Sequence, residues 1–198
     1  MAGSSWLGDT GLGYPAAVLL PHDLPVVAEL EAAAAAVLAE LAAVPESAWF
    51  PMAAQTMYRG RWEAVLLSAG PWGHEFAGVD LEANRRLLPS AAAILEKHPE
   101  IAVFGVLRLA AGAELAPHRD HRADDEVRVH VPLQVPAEEA GEWTIGTARL
   151  LDIRQLHHAH NRGTIDRITL VADVRVGRVV AIDDVAPWND ALAAPEAG

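Results

Sequence analysis

The chain has no cysteine in its 198 residues, which excludes both a disulfide framework and a thiolate metal site and fits a reducing compartment. It also lacks a long uncharged apolar run. The longest apolar segment is alanine-rich and interrupted by glutamates, so it reads as an amphipathic helix and not as a membrane span. Met1 to Asp9 show neither the basic start nor the apolar core of a secretory leader. These features lead us to expect a cytoplasmic protein with no membrane partner. Basic charge is in short supply as well: 15 Lys and Arg stand against 27 Asp and Glu, a net charge of −12 with histidine neutral. Nucleic-acid binding rests on cations neutralising phosphates, so this balance argues against a nucleic-acid partner and none is expected.

At 52% hydrophobic residues, the chain can bury one substantial core, and a single domain over 1–198 is expected. Asp23-Leu24-Pro25 reads as a helix start with Asp23 as N-cap, and the helix runs to about Leu41. Arg61 to Ser68 reads as a strand that Ala69-Gly70-Pro71-Trp72-Gly73 ends, followed by a loop around Glu75 to Asn84 and a second helix over Ser90 to Lys97. From Ile101 to near Ile182 short strands dominate, and the tail after Pro187 is loose beyond Trp188. The order implies an α+β domain: a helical part over about 1–100 buttressing a double-stranded β-helix, a jelly-roll or cupin-like barrel, over about 101–183. Nothing in the pattern decides the oligomeric state; a homodimer through the helices is one arrangement.

The chemistry is concentrated at Pro117-His118-Arg119-Asp120, between the strand-like segments Val103 to Leu109 and Val127 to Val131. On extended backbone residues i and i+2 point the same way, so His118 and Asp120 can converge on one ion. His157 supplies a third ligand if the strand after Leu150 returns beside the first. Two neutral imidazoles and a carboxylate on one face of an octahedron leave three positions open, the arrangement of non-haem Fe(II) oxygenases. A catalytic zinc site is chemically compatible with the same ligands.

Arg167 weighs against zinc. A guanidinium on the next strand suits bidentate capture of a carboxylate, which implies a dicarboxylate co-substrate such as 2-oxoglutarate, with its 2-oxo acid end on the metal. Hydrolytic zinc chemistry has no such need.

Three stretches in order resemble the aspartyl/asparaginyl β-hydroxylase-like family of Fe(II)/2-oxoglutarate-dependent dioxygenases, which includes bacterial proline hydroxylases. They are Leu109 to Asp120, a glycine turn leading into the first ligand; Arg128-Val129-His130-Val131-Pro132-Leu133; and Leu151 to Asn161 continuing through Asp166 to Val174. The resemblance covers about Phe104 to Val174. It implies His118, Asp120 and His157 as ligands of Fe(II), and Arg167 as the grip on the far carboxylate of 2-oxoglutarate. It further implies that Arg128 and His130 help hold that co-substrate near the metal. The chain departs from the pattern at Leu107, where some members have a serine touching the co-substrate, and at Arg149, which replaces a common tryptophan.

Among the neighbouring histidines, the ten-residue interval to Arg167 selects His157, as in the family; alternation puts His158 and His160 on the opposite face, as surface, packing or substrate-contacting groups. His121 receives a structural reading. Asp152 and Arg154 precede the distal histidine and are candidates for orienting it. Pro117 and Gly112 read as turn-shaping residues, Asp124-Asp125-Glu126 as a solvated hairpin tip, and Trp62, Trp72, Trp143 and Trp188 as core or pocket-lining groups.

The expected activity is hydroxylation of a free amino acid or small amino-acid-derived metabolite, using O2 and converting 2-oxoglutarate to succinate and CO2. Arg149 or Arg119 would anchor the substrate carboxylate. A small residue in place of Asp120 would open a halide site, as in related halogenases, so the carboxylate favours hydroxylation over halogenation. The alternatives are a peptidyl or carrier-tethered amino acid as substrate, desaturation or cyclisation in place of hydroxylation, and, outside this chemistry, a cupin-like metal-binding sensor or isomerase.

Overall fold

The structure, a computed structural model, describes residues 18–19, 21–53, 55–120, 123, 125–177 and 181–182. His121, Asp124, Trp188, the N-terminal segment 1–17 and the tail lie outside the described residues, as does the side chain of Trp72. In chain order the first elements are β1 (Val18–Leu19), α1 (Pro25–Leu41), β2 (Phe50–Pro51), β3 (Tyr58–Arg59) and β4 (Trp62–Ala69). Next come α2 (Leu81–Leu87), α3 (Pro89–Lys97), β5 (Ile101–Leu109), β6 (Glu114–His118) and β7 (Glu126–Gln134). The chain continues through β8 (Arg149–Leu151), β9 (His157–His160), β10 (Arg167–Arg175) and β11 (Ala181–Ile182).

Six strands form the larger sheet in the order β2-β4-β5-β10-β7-β8, and three form a smaller one in the order β3-β6-β9. The long central strands pair antiparallel. The α+β jelly-roll expected from the sequence is the architecture observed. Its division along the chain is different: β2, β3 and β4 all precede residue 100 and belong to the sheets, so the helical part and the barrel interleave. The segments β2 and β3 are only two residues long, too short to leave an alternating pattern.

Alternation assigns the two faces of the large sheet. On β10, Ile168, Leu170, Ala172 and Val174 pack into the main core, joined by Phe104 and Val106 of β5, Val127, Val129, Val131 and Leu133 of β7, and Val65 and Leu67 of β4. Helix α1 covers this face with Val26, Val27, Leu30, Ala34 and Val37, and α3 adds Ala91 and Ile94. Residues of the other parity, among them Trp62, Leu107, Arg128, His130, Arg167 and Thr169, line the opposite face, which is where the smaller sheet lies.

Three local expectations need correction. Helix α1 has Leu24 at its N-cap with no side-chain hydrogen bond; Pro25 at the first helical position sets the start, and Asp23 falls in the preceding 3-10 turn. The loop expected around Glu75 to Asn84 contains the start of α2, whose N-cap Asp80 accepts from the Ala83 N–H at 2.9 Å. Glu126 is buried and faces Arg175 at 3.4 Å, so it belongs to the start of β7 and not to a solvated tip. Gly112 does adopt the conformation expected of it, with φ of 73°. Among the described residues no helix is long and apolar enough to cross a membrane.

Candidate metal centre

His118 ends β6, His157 begins β9, and the two are directly paired in the antiparallel register of these strands. A bulge between Leu115 and His118 re-aims the end of β6, a common use of an extra residue beside a functional site. Just beyond it, Asp120 donates its backbone N–H to Ile153 O at 2.8 Å, and Arg119 Nη1 donates to Arg154 O at 2.9 Å. The turn before β9 therefore holds the His-x-Asp segment in place.

His118, Asp120 and His157 each offer a ligand atom lying within 4.8 Å of the other two. His118 Nε2 is 3.5 Å from Asp120 Oδ1, and the imidazole centroids are 4.1 Å apart. His118 Nδ1 contacts Ala116 O at 2.8 Å, and His157 Nδ1 contacts Gln155 O at 3.0 Å. When Nδ1 donates to the carbonyl two residues back, Nε2 carries the lone pair that a metal needs. Burial and the neighbouring His118 pull the His157 pKa below its ordinary value, against the opposing effect of Gln155 O. The neutral ligand form is thereby favoured.

Asp152 and Arg154 act one step further out than expected. Arg154 Nε donates to Asp152 Oδ1 at 2.7 Å, and the Gln155 N–H donates to Asp152 O at 3.0 Å. The pair shapes the turn that presents Gln155 O; the carbonyl itself orients His157. His158 and His160 stack on each other with centroids 6.0 Å apart and border a separate surface groove with Glu114 and Arg162.

Arg128 sits between two carboxylates. Its Nε and Nη2 donate to Asp173 at 2.7 and 2.9 Å, and its Nη1 donates to Asp120 Oδ2 at 2.9 Å. Burial opposes its charge, but Asp173 and Asp120 outweigh burial and raise the pKa. Asp173 is fully buried, so this guanidinium is a brace for the carboxylate ligand. These bonds use three of its five N–H donors, and its side chain also borders the cavity beside His118 and His157, a placement compatible with the role expected for it near the co-substrate.

A narrow cavity runs from His118 and His157 to Arg167, walled by Leu107, Leu115, His130 and Thr169. His130 Nε2 is buried and has no hydrogen-bond partner among the described residues. Burial, together with the charges of Arg128 and Arg167, holds the His130 pKa well below its ordinary value, so the ring is neutral. An orphaned polar atom in such a position calls for a polar ligand. Arg167 is buried, with Nη1 donating to Glu139 Oε2 at 2.8 Å and to His160 O at 3.2 Å. A second, wider cavity on the other side of Trp62 and Leu107 also reaches His118 and Asp120; Met52, Met57, Phe76, Glu75 and Arg119 line it. Arg149 lines neither cavity. It donates to Glu142 O at 3.0 Å and lies 5.1 Å over the Trp143 ring, which leaves Arg119 as the predicted anchor nearer the metal-side space.

Glu139, Asp173 and the involvement of Trp143 with the site arginines went unread in the sequence. Asp173 did leave a signal: it is the same parity as Arg167 on an otherwise apolar strand. Glu139 is one of several glutamates in a loop, and nothing local distinguishes the buried one.

A double-stranded β-helix with two imidazoles and a carboxylate converging inside it is the build of a metal-dependent oxygenase. Residues 31–176 match the model of the aspartyl/asparaginyl beta-hydroxylase family, and the chain belongs to that family. Membership assigns it to the hydroxylase-type dioxygenases. Among solved structures the chain is similar to a predicted oxalate decarboxylase of Thermotoga maritima at 16% identity and a TM-score of 0.38, covering 67% of this chain and 98% of that one. It is also similar to a prolyl-4-hydroxylase of Pseudomonas putida at 16% identity and a TM-score of 0.38, covering 78% of this chain and 89% of that one. No curated protein matches the sequence.

Proposed function

We propose that the protein is an Fe(II)- and 2-oxoglutarate-dependent hydroxylase of a free amino acid or a small amino-acid-derived metabolite. The observation that carries this reading is the narrow cavity lined by His118 and His157, which with Asp120 form the candidate ligand cluster, and by the buried Arg167. Such a cavity matches a short diacid with one end on the metal and the other on a guanidinium. The donor set suits a ferrous ion: two neutral imidazoles and one carboxylate, with positions left for co-substrate and oxygen. When bound, the iron supplies the oxygen chemistry that couples decarboxylation of 2-oxoglutarate to insertion of a hydroxyl.

The chain's own residues bind, orient and exclude water. Arg167 receives the far carboxylate, and neutral His130 presents Nε2 to the co-substrate from the cavity wall. Arg128 keeps Asp120 aimed at the ion. The wider cavity takes the substrate, with apolar Met52, Met57 and Phe76 against its body and charges of opposite sign, Arg119 and Glu75, to meet a carboxylate and an ammonium. Trp62 and Leu107 border both spaces, keeping substrate and co-substrate separate while each reaches the same ion.

The test is anaerobic addition of Fe(II) and 2-oxoglutarate. A weak visible charge-transfer band is expected in the wild type and none in Arg167→Ala. A colourless wild type sinks the reading. Succinate release across free amino acids and their amides then identifies the substrate.

A further inference from the structure

The loop after β7 does something to Arg167 that its length alone does not require. The 3-10 turn Ala137–Glu139 carries Glu139 into the interior, and the Glu142 and Trp143 N–H groups donate back to Glu139 O at 2.9 and 3.2 Å. This fixes the turn. From it, Glu139 Oε2 accepts from Arg167 Nη1 at 2.8 Å, with both side chains almost fully buried. The second hydrogen bond from the guanidinium, to His160 O, also leaves from Nη1. Among the described residues, then, the hydrogen bonds of Arg167 use one nitrogen, and the Nε–Nη2 edge makes none to protein. Trp143, from the end of the same loop, holds the guanidinium carbon 5.4 Å over its ring.

A buried guanidinium held at one corner and against an aromatic face has lost its rotamer freedom before any ligand arrives. A fork prepared in this way takes a carboxylate in two parallel bonds at little entropic cost. The carboxylate of Glu139 also opposes an incoming anion by charge, so its presence here is explained by reach and not by attraction.

We propose that Glu139 is the positioning residue that makes the site select a diacid over a monoacid, by tethering Arg167 through Nη1 and presenting the opposite edge to the far carboxylate. This rests on the assignment of Arg167 to the co-substrate made above. Glu139 touches no reacting atom; it acts through Arg167.

The test is calorimetric titration of the full-length, Mn(II)-loaded protein with 2-oxoglutarate and with 2-oxopentanoate, which has the same five-carbon chain without the far carboxylate. Glu139→Asp keeps the charge and loses the reach; Glu139→Gln keeps the reach and loses the charge. In Glu139→Asp, 2-oxoglutarate is expected to bind about 10-fold more weakly, the loss of one charge-assisted hydrogen bond, while 2-oxopentanoate is unchanged. Glu139→Gln should keep the wild-type preference, because its amide oxygen still accepts from Nη1. The proposal is overturned if Glu139→Asp keeps the preference, if both acids weaken together, or if Glu139→Gln loses the preference as fully as Glu139→Asp. A wild type that binds the two acids equally removes the assignment of Arg167 itself, and this proposal with it.

Discussion

His118 and His157 face each other across adjacent strands, each with Nδ1 turned to the carbonyl two residues before it. The symmetry leaves both Nε2 atoms to one ion, and it separates His157 from the two histidines that follow. His157→Ala should lose metal affinity by more than the roughly 10- to 100-fold that outer contacts cause. His158→Ala and His160→Ala should bind metal as the wild type does. Titration with Mn(II), followed by loss of the free-ion electron paramagnetic resonance signal, checks both; metal loss in His160→Ala but not in His157→Ala would reverse the assignment.

Arg128→Lys separates the brace from the ligands. An ammonium cannot reproduce a fork that serves Asp173 at two nitrogens and Asp120 at a third. Asp173, with no exposure to water, would be left under-partnered, at a cost on the order of 3 kcal/mol. Urea denaturation reads that cost. Metal affinity should fall with it, by about 10-fold or more, whereas unchanged stability and affinity would mean that Arg128 has another task.

Gly105, in the middle of β5, marks a close backbone approach. A Cβ built there meets Val65 O at 2.5 Å, on the neighbouring strand at the bulge between Leu66 and Ser68. Gly105→Ala should therefore destabilise by about 1–3 kcal/mol, as overpacking does in a filled interior. Since Gly105 also borders the wider cavity, the same variant should raise KM for the amino substrate. A denaturation midpoint equal to the wild type would show that the strands can part there freely.

His98 gives stability a pH dependence remote from the metal. Its Nδ1 lies 2.7 Å from Glu100 and its Nε2 3.3 Å from Glu29 of α1. Burial pulls its pKa down, but the contacts with Glu100 and Glu29 outweigh burial and raise it above 6.5. Protonation is thus favoured in the folded state, so the stabilisation is fully present below about 6.5 and is lost as the pH rises through the folded value. At the acid end the two carboxylates set the limit, because the pKa values of both Glu100 and Glu29 are held below 4.5. The difference in denaturation midpoint between wild type and His98→Gln should be larger near pH 6 than near pH 8.5, both chosen to bracket about 6.5. An equal or inverted difference would contradict the pairing.

The order of motifs made the cluster of His118, Asp120 and His157 readable before any coordinates: an i, i+2 pair at a strand end, and a distal histidine ten residues before an arginine. The strand character of Val103 to Leu109 and of Val127 to Val131 was likewise legible, and both lie within strands β5 and β7. The start of α1 was legible, but its N-cap was placed one residue early, at Asp23 and not Leu24, because Pro25 outranked Asp23 as the start signal. Helix α2 was hidden behind a polar approach despite the Asp80 cap. Arg128 was recognised, but its partner Asp173 lies 45 residues further along the chain, and pairing over that separation is a property of sheet register. Glu139 shows the same limit more sharply, since burial of one acid among several in a loop depends on what packs over it.

Strand β10 carries Arg167 near one end and Asp173 near the other, both with the parity that turns away from the helices. Asp173 holds Arg128, and Arg128 holds Asp120, so one strand is tied both to the buried Arg167 and to the carboxylate of the ligand cluster. A slipped register of β10 would disturb the two together, whereas exchanging one side chain would disturb only one of them.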